Sequence, residues 1–359
     1  VDHRPIAVVG DVILDLFTQG TLPRMSAEAS VRVFETYNET CMPGGAGNVA
    51  KNLVHLGVEV ELFAVIGNGY YGAELEHTLQ REHIGTLYLA SVDDRPTTTK
   101  QRLVGPHGQM LCIDRQKRDP IPMPATKAFL EWLKQGSWSA IVVSDYDRGV
   151  VTPTLLRGLI AIGRTKEIPI LVDARERRLV WYQNHAVGCT LLTPNRNEAG
   201  YIVNIQRALQ TTEDIAAAAE TIAEAVGCSV LLKLDRDGML LVENRSTTSS
   251  LSMVECATTG NLTVEVSGAG DTVIAVIAAE IAKGSSLLDA VKLSSLAAAL
   301  AVSKPGTAVV SSSELARFLE KMPLEKCVRV RPVLRPTRSE GIFAEESPTT
   351  VSGDPEPLN

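Results

Sequence analysis

Val264-Glu265-Val266-Ser267-Gly268-Ala269-Gly270-Asp271-Thr272 reads as a short β-branched run, a Gly-Ala-Gly turn with an acid, and then the apolar run 273–282. A small-sided loop opening into a helix aims free backbone N–H groups at one point, with the positive end of the helix dipole behind them. Gly268, Ala269 and Gly270 would then cradle an anion. Asp271, in the first helical turn, would stand beside it as a base. A glycine turn whose acid merely caps the helix explains the same letters. On this stretch alone the two readings are level.

Working outward, the rest of the chain alternates helix and strand and places acids and amides just past strand ends. That is the pattern of a doubly wound α/β sheet, whose ligands gather at the carboxyl ends of its strands. The strand 6–10 ends at Asp11, with Asp15 four residues on. Pro43-Gly44-Gly45-Ala46-Gly47-Asn48 leads into a helix, and consecutive glycines there let a ligand approach the backbone while Asn48 meets hydroxyls. Strand 140–144 ends at Asp145 and strand 168–172 at Asp173. After strand 190–193, Asn195 and Glu198 stand three apart at a helix start, suited either to a metal-bound phosphate or to capping. Strand 229–233 ends in Lys233, followed by Asp235 and Gly238 in a turn. Helices are expected at 125–135, 153–165, 212–226, 272–283, 287–302 and 313–321.

Residues 21–34 and a hairpin at 95–115 read as a small sheet outside the main core. Lys100 and Arg102 share a strand face there, suited to an anionic group or to plain edge protection. Gly67-Asn68-Gly69-Tyr70-Tyr71-Gly72 is a literal G-x-G-x-x-G. It does not follow the first strand and no second mononucleotide half is evident, so a dinucleotide site is not expected.

The net charge of −7 over 359 residues gives no case for nucleic acid or an anionic membrane. The basic clusters 115–118 and 175–178 read as solvated loop. No apolar run is long enough to span a bilayer. The amino terminus enters a strand almost at once, with no secretory leader expected. Six scattered cysteines without a Cys-x-x-Cys pair argue against zinc and disulfide scaffolds and suit a reducing cytoplasm. Residues 323–359 hold six prolines and little apolar periodicity, and are expected to be a disordered tail following a domain over 1–322.

No Walker A sequence occurs. The ordered set Gly44-Gly45 with Asn48, Asn195-x-x-Glu198 and Gly268-Ala269-Gly270-Asp271 instead resembles the PfkB (ribokinase-like) family of sugar kinases, over roughly residues 5–320. Arg24-Met25-Ser26-Ala27-Glu28-Ala29, Thr99-Lys100-x-Arg102, Ser144-Asp145-Tyr146 and Leu192-Thr193-Pro194-Asn195 are similar to its heptose 7-phosphate kinase branch. The resemblance implies a three-layer αβα sandwich with a β-sheet lid over the sugar, ATP and Mg²⁺ as cofactors, and room for a monovalent cation. It implies Asp271 as base, Gly268, Ala269 and Gly270 as the phosphoryl cradle, and Asn195 with Glu198 at the Mg-phosphate. Asp11, Asp15, Gly44, Gly45, Asn48 and Asp145 would meet sugar, and Lys233, Asp235 and Gly238 the nucleotide. Arg24, Lys100 and Arg102 are inferred to meet the 7-phosphate. Lid strands pair between subunits in this family, so a homodimer is expected.

The chain departs from that branch at Asp173-Ala174-Arg175-Glu176, where Asp-Pro-Lys-Gly is usual, and at Glu265, Ser267, Arg148 and Cys112. The nucleotidyltransferase half that accompanies such kinases in bifunctional proteins is not expected in this sequence. Two other readings remain: a kinase for another sugar or sugar phosphate, such as ribose or fructose 1-phosphate, and a catalytically silent sugar-binding protein on the same fold.

Overall fold

A computed structural model describes residues 4–205, 209–244, 249–256, 268–304 and 309–334. In chain order the strands are β1 (Ile6–Gly10), β2 (Val12–Met25), β3 (Arg32–Gly45), β4 (Val60–Gly67), β5 (Leu89–Val92), β6 (Thr99–Gly105) and β7 (Gly108–Arg115). Then follow β8 (Ala140–Ser144), β9 (Ile170–Asp173), β10 (Leu191–Leu192), β11 (Ser229–Lys233), β12 (Met239–Asn244), β13 (Ser249–Cys256) and β14 (Val328–Pro332). Ten strands form the main sheet in the order β14-β13-β12-β11-β10-β9-β8-β1-β4-β5. From β5 to β11 every pairing is parallel, and β11 to β14 close one edge antiparallel.

The parallel strands are near-continuous apolar runs because helices cover both faces. On one side Phe129, Leu155 and Ile222 pack against the sheet, and on the other Leu53, Ile274, Ile277 and Leu296 do so. The helix Ala269–Ala282 is apolar all round and buried between the sheet and its neighbours, as such a sequence must be. Among the described residues no helix is long and apolar enough to cross a membrane.

The second sheet, β3-β2-β6-β7, is the expected small sheet, but larger than the sequence suggested. β2 and β3 are 14 residues each and run unbroken from the core to the tip. Their core halves are buried and their outer halves exposed, so no single hydropathy period marks them.

The tail expectation is corrected at its start. Leu324–Cys327 is a helical turn, and β14 pairs with β13 as the sheet's edge, with Cys327 and Val328 buried. A strand of alternating Val and Arg between prolines offers too little apolar signal to be read in advance. Residues 335–359 lie outside the described residues.

Candidate active site

The two glycine motifs, more than 200 positions apart, meet through one hydrogen bond. Asn48 Nδ2 donates to Asp271 Oδ2 at 2.7 Å. Tyr146 supplies the second clamp, its hydroxyl donating to Asp271 Oδ1 at 2.8 Å. Asn48 sits in the first turn of the helix Ala46–His55, and Asn52 one turn on bonds both it and Thr272. The carboxylate of Asp271 is therefore fixed by two residues from separate parts of the chain, one for each oxygen. Burial, reinforced by the charge of Asp173, raises its pKa to about 6, against the pull of the Asn48 and Tyr146 hydrogen bonds and of Lys233. Burial and the nearby acids push the Tyr146 hydroxyl up, so it remains a donor.

Gly268 takes the left-handed conformation (φ 84°) that opens the helix. The first i→i−4 bond within reach is Thr272 N–H to Gly268 O at 3.1 Å, so the N–H groups of Ala269, Gly270 and Asp271 precede it. Lys233 lies against this turn: a Cβ on Gly270 would stand 3.2 Å from its Nζ. The ammonium is held by Asp173 Oδ1 at 2.7 Å, which also accepts from Thr193 Oγ1 at 2.8 Å. Asp173 and Glu198 raise the Lys233 pKa against its burial, so it stays charged. Tyr146, Asp173, Arg175, Asn195, Glu198, Lys233, Gly268, Gly270 and Asp271 line one cavity of about 130 Å³. It sits at the carboxyl ends of β8, β9 and β11, where the fold rule expects a ligand. Residues 264–267 of the opening motif, Glu265 and Ser267 included, lie outside the described residues.

Asn195 and Glu198 form a reciprocal capping box at the helix Arg196–Ile202. Glu198 N–H donates to Asn195 Oδ1 at 2.9 Å and Asn195 N–H to Glu198 Oε2 at 2.8 Å. The capping reading thus holds for Asn195. Glu198 keeps Oε1 outside the cap, 3.5 Å from Arg175 Nη1. Among the described residues no group of three or more His, Cys, Asp or Glu could hold a metal. One buried carboxylate, Glu198, beside the open N–H groups of the Gly268–Asp271 turn is the donor set that a Mg²⁺ held largely by phosphate oxygens and water would need.

Other predicted residues are placed differently. Asp11 accepts the N–H groups of Tyr146, Arg148 and Val150 at 2.9–3.0 Å, which makes it a fastener of that loop rather than an open sugar ligand. Asp145 is likewise taken, by two nitrogens of Arg177 at 2.8 and 3.0 Å and by Asp147 N–H. Burial raises its pKa to about 6. The space beside Gly44 is filled by Asp15, whose Oδ2 would lie 2.0 Å from an added Cβ. Asp15 in turn pairs with Arg102. Lys100 faces Asp114 at 3.5 Å, and Arg24, on the outer lid, binds Glu35 at 3.0 Å. Asp235 and Gly238 lie on the β11–β12 turn and do not line the cavity. In the G-x-G-x-x-G loop, where no dinucleotide site is expected, Asn68 donates to Asp93.

Sequence reading missed Tyr146, Asp173 and Arg175. Their common signal was position at a strand's carboxyl end, shared with many residues that reach nothing.

Residues 5–315 match the family described as pfkB family carbohydrate kinase. The chain belongs to the PfkB family. It is a phosphotransferase acting on a sugar hydroxyl. Curated relatives include the bifunctional protein HldE of Gluconobacter oxydans, 37% identical over 322 residues covering 89% of this chain and 65% of that one. The bifunctional protein HldE of Pelobacter propionicus is 35% identical over 311 residues, covering 86% and 62%. This PfkB chain thus spans less than two thirds of the length of these relatives. Among solved structures, ribokinase of Arabidopsis thaliana, complexed with ribose and ATP, superposes with a TM-score of 0.71 at 18% identity, covering 89% of this chain and 99% of that one. Phosphofructokinase-2 of Escherichia coli, in complex with potassium, gives 0.70 at 20% with the same coverage. Both establish the ribokinase-like fold.

Proposed function

We propose that the chain transfers the γ-phosphoryl of ATP to the C1 hydroxyl of D-glycero-D-manno-heptose 7-phosphate, giving the 1,7-bisphosphate used for ADP-heptose. The observation that carries the kinase chemistry is the double clamp on Asp271 beside the Gly268–Gly270 turn and Lys233. The heptose assignment rests on the motif set around Arg24-Met25-Ser26 and Ser144-Asp145-Tyr146, together with the HldE relatives.

Asp271, ionised near neutrality, accepts the proton of the attacking hydroxyl. Asn48 and Tyr146 hold its two oxygens so that the base is aimed before the acceptor arrives. The N–H groups of Ala269, Gly270 and Asp271 and the Lys233 ammonium face the charge on the transferring phosphoryl. A magnesium ion carried in on the nucleotide, with Glu198 as its carboxylate contact, would neutralise the β and γ oxygens. Glu198→Gln is expected to raise the Mg²⁺ concentration needed for half-maximal rate about tenfold or more, with the sugar KM little changed; a magnesium titration of initial rate checks it.

The expected homodimer is supported by the outer lid, which exposes Tyr37, Met110, Leu111 and Ile113. A cytoplasmic setting is the compartment that six scattered cysteines without a Cys-x-x-Cys pair suit.

An ADP-release assay over heptose 7-phosphate, unphosphorylated heptose, ribose and fructose 1-phosphate tests the assignment. Heptose 7-phosphate is expected to show the highest kcat/KM. A higher value for ribose or fructose 1-phosphate would move the chain to another PfkB specificity, and tight binding without turnover would make it a silent binder.

A further inference from the structure

The two basic clusters read as solvated loops meet on one four-residue segment, 145–148, at the carboxyl end of β8. Arg118 Nη1 lies 3.5 Å from Asp147 Oδ2, and Arg177 Nη2 lies 3.5 Å from Asp147 Oδ1. Arg175 stacks on the Tyr146 ring at 4.3 Å. The fourth guanidinium, Arg148, belongs to the segment itself and ion-pairs with no carboxylate among the described residues. Its Nη1 donates to the Asp147 carbonyl at 3.3 Å, while its Nε is buried with no hydrogen-bond partner among them. A buried donor left unmade is costly, and an incoming anion would satisfy it. Burial and the charges of Arg118 and Arg175 press the Arg148 pKa down, as expected where cations outnumber the acids at hand.

The segment is rigid and adjoins the reacting groups. Asp11 holds three of its N–H groups or those just beyond it, and Arg95 Nη2 donates to the Arg148 carbonyl at 2.8 Å. Tyr146 reaches Asp271 directly. Arg118 follows β7, so it stands at the root of the lid. The three lid cations first assigned to the phosphate are already matched: Arg102 by Asp15, Lys100 by Asp114 and Arg24 by Glu35.

We propose that Arg148 and Arg118 receive a second anionic group of the acceptor, a phosphate carried at the end of the sugar away from the attacked hydroxyl. The inference rests on the sugar phosphate kinase reading above and moves that phosphate from the lid strands to the β8 loop. Arg148 brings a planar guanidinium with unspent donors, and Arg118, 63% exposed, touches Asp147 through Nη1 at 3.5 Å and keeps its other donors for phosphate oxygens.

The test compares heptose 7-phosphate with unphosphorylated heptose as acceptors and adds calorimetric binding of heptose 7-phosphate. Arg148→Met is expected to raise the KM and Kd for heptose 7-phosphate on the order of 100-fold, with Arg148→Lys recovering part of the loss. The KM values for unphosphorylated heptose and for ATP should stay within about threefold. Arg118, with a side chain 63% exposed, can be removed without disturbing the core, so Arg118→Met gives the same comparison if Arg148→Met fails to fold. An unchanged affinity for heptose 7-phosphate, an equal loss on both acceptors, or a loss confined to ATP would overturn the proposal. So would the same selective loss in Lys100→Met, which would return the phosphate to the lid. If the parent turns over no acceptor, the kinase reading fails. Calorimetry of heptose 7-phosphate with the parent and Arg118→Met then still decides this proposal by the same criterion.

Discussion

Asp271→Asn is expected to lower kcat at least 10³-fold while leaving the affinity for the acceptor within a few-fold. Asn keeps the shape and one acceptor oxygen, so the hydrogen bonds from Asn48 and Tyr146 need only rearrange. What it lacks is the capacity to take the proton of the attacking hydroxyl. The pH dependence follows from the same residue. Its pKa is raised from 3.8 to about 6, mainly by burial, so the ionised base accumulates as pH rises through 6. kcat/KM should fall below about pH 6, and Asp145, also near 6, should steepen the fall by protonating in the same range. The sign for stability is opposite. A raised folded pKa contributes stability that is fully present below 3.8 and lost as pH rises through about 6. Keeping the buried carboxylate ionised at pH 8 thus costs about 3 kcal/mol. Asp271→Asn should melt higher than the parent at pH 8 and lose that advantage at pH 4. Calorimetric Tm at the two pH values, beside the kinetic pH profile, checks both halves. Turnover within tenfold of the parent would remove Asp271 from the role of base.

The glycine turns, the alternation of helix and strand and the acids past strand ends were legible because each is local: a few neighbouring residues carry the whole signal. Helices 212–226 and 287–302 fell where expected: Thr211 and Ser286 cap their first turns, and Gly227, left-handed, ends the first of them. The partners of the site were not legible. Nothing in the neighbourhood of Tyr146 says that its hydroxyl will find an acid 125 positions away, and nothing near Lys233 says that Asp173 will hold it. The partners of the lid cations were hidden for the same reason. Lys100 and Arg102 share a face as their spacing requires, but the acids that neutralise them come from β7 and β2, by pairings that only the assembled lid fixes. Asp11 sits where ligands bind in such sheets, yet its oxygens go to the backbone of the β8 loop. Strand-end position selects candidates; pairing across the sheet decides which of them stay free.

Gly45→Ala is expected to be the most damaging single-methyl change in the site. A di-glycine turn read locally would place a ligand against the bare backbone, whereas the fold places protein there. Gly45 has φ 58°, and a Cβ on it would lie 2.3 Å from the Asp11 carbonyl oxygen. That oxygen accepts the N–H of Ala46 at 2.9 Å, the contact that sets the first turn of the helix carrying Asn48. The left-handed backbone alone costs an alanine about 1–2 kcal/mol. The clash is with main chain and has no side chain to yield, so the total should be roughly 3 kcal/mol or more. Relief requires the strand carrying Asp11 or the start of the helix Ala46–His55 to move. Either displacement shifts Asn48 from Asp271 Oδ2, and a displacement of about 1 Å at such a site costs on the order of 10²-fold in rate. Gly45→Ala should therefore lower both the urea midpoint and kcat. Asn48→Ala should reproduce much of the loss in kcat with a smaller change in the midpoint, because it removes the clamp without the clash. Equal urea midpoints for Gly45→Ala and the parent would show that the turn relaxes freely and that Asn48 is not held through it.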